Sequence, residues 1–137
     1  IGGGGERLPL RHVAGHPDIW NTLGIYHAEV ARKRDVLLAH CRAVGRDPAE
    51  IVVSQQTLAA IAMDRQDAAR RAAAVLEELA FLEGSPELAL TGTPDEIRAR
   101  VEKSRALGVS AFVMSFGRRT DPEHVRLFAR EVAAAYR

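Results

Sequence analysis

Apolar residues in this chain switch repeatedly between two spacings, and that alternation restricts the fold more than any other feature. Short runs rich in β-branched residues, such as Ile51-Val52-Val53-Ser54 and the stretch 109–116, read as buried strands. Longer stretches between them place apolar residues three and four apart, the spacing of a helix with one buried face. Chains that alternate in this way build parallel sheets with right-handed helical crossovers.

A short helix is expected over 8–14, with Pro9 tolerated in its first turn and Gly15 and Pro17 stopping it. Ile19 and Trp20 form a short buried-strand candidate. Residues 25–44 read as a long helix with Val30, Leu37, Leu38, Cys41 and Val44 inward, Arg32, Lys33, Asp35 and Arg42 on other faces, and Gly45 at its end. Asp47-Pro48 restarts the chain into a strand over 51–58. An alanine-rich helix over 66–82 presents Ala69, Ala72, Ala73, Leu76 and Leu79 to its neighbours. Thr93-Pro94-Asp95-Glu96 combines a cap, a proline at the first position and a glutamate three residues after the cap. The helix that follows buries Ile97, Val101 and Leu107 and closes at Gly108. After the strand over 109–116, Asp121-Pro122 caps a last helix with Val125, Phe128, Val132 and Ala135 inward.

With Ile1 taken as the end of a further buried strand, two architectures fit: a doubly wound open sheet, or part of a closed (β/α)8 barrel. A barrel takes about 250 residues. The 137 residues here, and a start inside a strand, suit half of one. The chain is therefore expected to be a piece of a longer protein, with residues 1–137 forming a single half-barrel domain.

Composition narrows the partners. Lys and Arg number 19 against 18 Asp and Glu, so the chain has no electrostatic footprint for nucleic acid or an acidic membrane. A single cysteine, Cys41, excludes an intrachain disulfide and a cysteine-based metal site; on the buried face of a helix it reads as inert. No apolar run has the length of a membrane span and nothing resembles a signal peptide, so a cytoplasmic location is the default.

The chemistry-bearing feature is the run Gly2-Gly3-Gly4-Gly5-Glu6-Arg7 between a strand end and a helix start. Backbone without side chains can approach a phosphate closely, and its amides can point at it. The alternatives are a glycine-rich tight turn with no ligand, or a flexible linker. Glu6 and Arg7 either orient this loop or pair in solvent; Trp20 either lines a ring pocket or fills the core. Asn21 reads as a turn residue. His12 and His16 are spaced for a metal on a continuous helix, but Gly15 and Pro17 break it and no third ligand is near, so no metal site is expected. His27, His40 and His124 read as surface or satisfied helical residues. Ser115, Phe116 and Gly117 follow the last strand, where Arg118 or Arg119 either meets an anionic group or is solvated. There is no Ser-His-Asp order, paired-carboxylate signature or Walker-type loop.

Taken together, Gly2 to Arg7, Leu10-Arg11, Ala14 and Asp18-Ile19-Trp20-Asn21 resemble the middle of the luciferase-like monooxygenase family. That family includes flavin-dependent monooxygenases and oxidoreductases that use the deazaflavin coenzyme F420. Arg32, Lys33 and Leu37, the stretch from Cys41 to Pro48, the strand from Ile51 to Ser54, Gly92-Thr93-Pro94 and the stretch from Gly108 to Phe116 agree in order and spacing, so the likeness spans nearly the whole chain. The resemblance implies a TIM barrel of which this chain is the C-terminal half. It implies that the glycine loop contacts the cofactor phosphate through Gly3, Gly4 and Gly5, with Gly2 ending the strand; Gly2, Glu6 and Trp20 join them as candidate cofactor-binding residues. Coenzyme F420 is the expected cofactor, with FMN the alternative, since the glycine run and Asp-Ile-Trp-Asn look closest to the deazaflavin branch. A small-molecule substrate, a homo-oligomer and catalytic groups outside this chain are expected. Two other readings are a non-catalytic half-barrel used for binding or assembly, and a small open-sheet nucleotide-binding protein. The last is weakened because no acid follows the first loop in the strand context that such a site uses.

Overall fold

Parallel pairing between strands that flank a helix is the connection from which this fold is built. The structure, a computed structural model, describes residues 1–77, 89–117 and 121–137. Strands and helices alternate along it: α1 (Pro9–Gly15), β1 (Ile19–Leu23), α2 (Val30–Val44), β2 (Val52–Ile61), α3 (Arg65–Glu77), β3 (Leu90–Gly92), α4 (Pro94–Ala106), β4 (Ala111–Ser115) and α5 (Pro122–Glu131). The α/β class expected from the alternation is the class observed. The described residues form two compact units, one of Ile1–Gln56 with Ser104–Val113 and one of Thr57–Lys103 with Met114–Arg137.

In the first unit, β1 runs parallel to the first half of β2, from Ile19 opposite Val52 to Leu23 opposite Gln56. β4 pairs with β2 as well, and just before it the Ser110 amide donates to the Val53 carbonyl at 2.9 Å. Gly2 adds an isolated parallel bridge to Asn21. Ile1 itself is exposed rather than buried, because only its backbone is engaged, by Ile19 and Asn21. The core joins Leu10, Val13 and Ala14 of α1, Trp20 of β1, Val30, Leu37 and Cys41 of α2, and Ile51, Val53 and Val109. Burial also pushes the Cys41 thiol up from its ordinary pKa.

The long helix expected over 25–44 begins instead as a 3₁₀ segment, Gly24–Glu29, and becomes α-helical at Val30. Tighter winding of this kind is common at helix starts, and here no side chain caps the first turn. Val44 is exposed and Leu38 half-buried, whereas Lys33 is buried. Arg46 ties the end of α2 to the α1–β1 link, donating to the carbonyls of Val13 at 3.2 Å and Pro17 at 2.9 Å.

In the second unit, the latter half of β2 pairs in parallel with β3, Ala59 opposite Leu90 through Ile61 opposite Gly92. β2 thus outruns the expected 51–58 because small, buried alanines at 59 and 60 lie against a strand too short to show a period. On α3 the buried alanine is Ala68, while Ala69 and Ala73 are exposed, so the inward face is turned by about one residue from the expected one. Leu79 lies outside the described residues. α4 buries Ile97 and Val101 as expected, whereas Leu107, just past its end, is half-buried; of the residues expected inward on the last helix, Phe128 of α5 and Val132 just after it are buried, and Val125 and Ala135 are exposed. Phe128 meets Phe116 edge to face, with ring centroids 5.5 Å apart.

Half of the expected capping box forms on α4: the Thr93 amide donates to Glu96 Oε2 at 2.9 Å, while the Thr93 hydroxyl donates to the same oxygen at 3.1 Å instead of accepting from the helix backbone. This amide bond, then the hydroxyl and the Arg65 and Arg100 guanidinium groups, hold the Glu96 carboxyl below its ordinary pKa of 4.5 despite some opposing desolvation. A folded pKa below the unfolded one stabilises the fold above the unfolded value, and that contribution is lost as pH falls through the folded value. Denaturant unfolding of Glu96→Gln is therefore expected to show a deficit against the parent chain at pH 7 that shrinks under acid, below the ordinary pKa of 4.5. A deficit independent of pH would show that the carboxylate charge contributes nothing.

Candidate functional site

Glycine loops are held by whatever binds their carbonyls, since they have no side chains of their own to pack. Here four successive carbonyls, those of Gly3, Gly4, Gly5 and Glu6, each have a separate donor. The Trp20 indole Nε1–H donates to the Gly3 carbonyl at 3.0 Å. The Lys33 ammonium donates to the Gly4 carbonyl at 2.5 Å. The Leu10 amide, in the first turn of α1, donates to the Gly5 carbonyl at 3.1 Å. His40 reaches the Glu6 carbonyl at 3.0 Å, which requires its Nε2 to carry a proton. Upstream, the Gly3 amide donates to the Asn21 carbonyl at 3.2 Å, beside the isolated Gly2–Asn21 bridge.

A trans peptide holds its C=O and N–H pointing opposite ways. Fixing the carbonyls of Gly3, Gly4 and Gly5 therefore turns the amides of Gly4, Gly5 and Glu6 away from the groups that hold them. Among the described residues these three amides have no acceptor. The result is a short run of oriented donors on a half-exposed loop, an arrangement suited to an anion.

The charges around the loop come from α2 and the segment before it. Glu6 is half-buried and pairs with Arg32 at 2.6 Å and with Lys33 at 3.6 Å. Glu29 pairs with Lys33 at 3.2 Å and with Arg32 at 3.5 Å. Glu6 is thus ion-paired, and its partners are the α2 cations Arg32 and Lys33 rather than the exposed Arg7. Trp20 is fully buried and sits in the core, so its share in the loop is the indole N–H.

Asn21 is not in a turn: it lies within β1, where its Oδ1 accepts from Ser54 Oγ at 2.8 Å and its Nδ2 donates to Gln56 Oε1 at 3.3 Å. Pairing with both Gly2 and β2 carries the strand past Trp20, which a two-residue apolar signal could not reveal. His12 and His16 are both exposed, with ring centroids 6.3 Å apart. Among the described residues, no three His, Cys, Asp or Glu side chains are grouped to hold a metal. Gly117 follows β4, and Arg118 and Arg119 lie outside the described residues. The residue that the sequence reading missed is Lys33. Its signal is positional: 30, 33, 37 and 41 fall on one helical face, so a lysine at 33 belongs to the buried stripe despite its charge.

No family model matches the chain, and no curated protein matches it. Solved structures do match. Monooxygenase RslO1 from Streptomyces bottropensis superposes with a TM-score of 0.75 at 21% identity, over 95% of this chain and 46% of its own. The coenzyme F420-dependent tetrahydromethanopterin reductase from Methanopyrus kandleri gives 0.73 at 17% identity, over 99% of this chain and 50% of its own. Riboflavin lyase RcaE, solved with modified FMN and riboflavin, gives 0.73 at 16% identity, over 98% and 41%. The chain thus spans about half the length of the structures it matches. At these identities the likeness is one of fold: the parallel α/β arrangement of this chain matches about half of each of these structures.

Gly3 has a φ of +118°, a backbone conformation that side chains other than hydrogen strain to adopt. Gly3→Ala is accordingly expected to destabilise the chain by about 1–3 kcal/mol in denaturant unfolding, with no lost contact to account for it. An unchanged midpoint would mean that the loop relaxes to another conformation at no cost.

Proposed function

We propose that this chain is the C-terminal half of a luciferase-like oxidoreductase barrel and that its glycine loop binds the phosphate of the cofactor. One observation carries the reading: the peptides from Gly3 to Glu6 have their carbonyls held, while the amides of Gly4, Gly5 and Glu6 have no acceptor among the described residues. Those amides fit the oxygens of a phosphate monoester or diester. Gly2 ends the strand and Gly3 makes the turn, while Glu6 and Trp20 hold the loop rather than meet the phosphate themselves. Strand-end loops are where barrels of this kind build their sites, which agrees with the loop's place after the Gly2 bridge.

The cofactor is coenzyme F420, used for hydride transfer, with FMN and oxygen chemistry the alternative; neighbours of both kinds share the fold. When bound, the cofactor supplies the redox chemistry, and the residues here bind and orient its tail. Groups that polarise a small-molecule substrate come from the other half of the barrel. Residues 1–137 alone therefore turn over neither cofactor, and the open strand edges of a half-barrel favour self-association.

In the intact protein, Gly4→Val is expected to weaken binding of the preferred cofactor by about tenfold or more while the melt stays cooperative. Unchanged affinity for both F420 and FMN would reduce the loop to a turn. Steady turnover by residues 1–137 alone, above that of free cofactor, would show that the site is complete without a second half.

A further inference from the structure

Lys33 is the buried charge that the phosphate reading leaves without a task. Only 5% of it is exposed, although lysine is rarely buried unless paired. Its ammonium lies 2.5 Å from the Gly4 carbonyl, 3.2 Å from Glu29 and 3.6 Å from Glu6. Two carboxylates at that range offset its charge, and among the described residues its shortest contact is to the Gly4 carbonyl oxygen. A lysine so placed is poorly suited to act as the counter-ion of a ligand on the loop amides.

Trp20 makes the same kind of contact without any charge. It is fully buried in β1, and its indole N–H meets the Gly3 carbonyl at 3.0 Å. Two side chains from separate elements thus hold two adjacent carbonyls of a segment that has no side chains to fix itself. Because C=O and N–H oppose each other across a trans peptide, the Trp20 contact aims the Gly4 amide and the Lys33 contact aims the Gly5 amide. Glycine peptides left unheld would sample many orientations, and an anion would have to order them at the cost of its own affinity.

We propose that Lys33 and Trp20 are positioning residues for phosphate recognition, acting from behind the loop by fixing the Gly4 and Gly3 carbonyls. The inference rests on the phosphate reading of the loop and adds to it which side chains make the loop selective. It assigns recognition of the cofactor tail, and not of the ring, to a backbone orientation set by α2 and β1.

The test compares the intact protein with Lys33→Met and Trp20→Phe, which keep much of the bulk and remove the donor. Affinities are measured for FMN against riboflavin and for coenzyme F420 against its phosphate-free deazaflavin core. The readout is the preference for the phosphorylated partner in each pair, a ratio that general loosening of the fold leaves alone. Each variant is expected to lower that preference by about tenfold, with affinity for the phosphate-free partner retained. If the parent protein shows no preference in either pair, the phosphate reading fails and this inference fails with it. If the parent shows the preference and both variants keep it, the phosphate reading stands and the positioning role is overturned. Loss in Lys33→Met alone also overturns it, because the ammonium then acts through charge; loss in Trp20→Phe alone removes Lys33 from the role. Should Lys33→Met not melt cooperatively, Lys33→Leu, which also lacks a donor, replaces it and is read in the same way.

Discussion

The hydrogen bond from Lys33 to the Gly4 carbonyl, with its neighbours on either side, sets what the start of this chain can do. Ordering a residue's backbone costs about 1–2 kcal/mol. A neutral hydrogen bond returns about 0.5–1.5 kcal/mol net and one from a charged donor about 1.5–3. With one donor for each carbonyl from Gly3 to Glu6, cost and return are comparable, so each donor matters to the order of the loop. Lys33 supplies the charged donor of the set.

Those donors are available because the first unit brings α1, β1 and α2 around one core. Leu10 contributes both a buried side chain and the amide that holds Gly5. Trp20 fills the core with its ring and reaches the loop with its N–H. α2 buries Val30, Leu37 and Cys41, and that same face carries Lys33 to the Gly4 carbonyl. Packing and site geometry are therefore one problem here, since the residues that stabilise the unit also orient the loop.

Much of this could be read from the residues. Strand and helix alternation, the caps at Asp47, Thr93 and Asp121, and the glycine run all carry strong local signals, because each depends on backbone chemistry that a few residues determine. What escaped depended on partners distant in sequence. β3 has three residues and exists through its pairing with Ala59 to Ile61. Asn21 looks like a turn residue until Gly2 and Ser54 are placed on either side of it. The inward face of α3 was misjudged because alanines at 68, 69, 72 and 73 are alike in size and give the helical period little contrast. Lys33 reads from the sequence as lying on a face other than the apolar stripe, whereas its position in the stripe and the acids at 6 and 29 account for its burial.

The amides themselves can be watched. In a ¹⁵N-labelled sample of the intact protein, titration with the preferred cofactor and with its phosphate-free counterpart separates the tail from the ring. The Gly4, Gly5 and Glu6 amide resonances are predicted to move strongly with the phosphorylated ligand and little with the other. Movement of equal size with both ligands, or no movement at these three positions on saturation, would contradict a phosphate site built from the backbone of this loop.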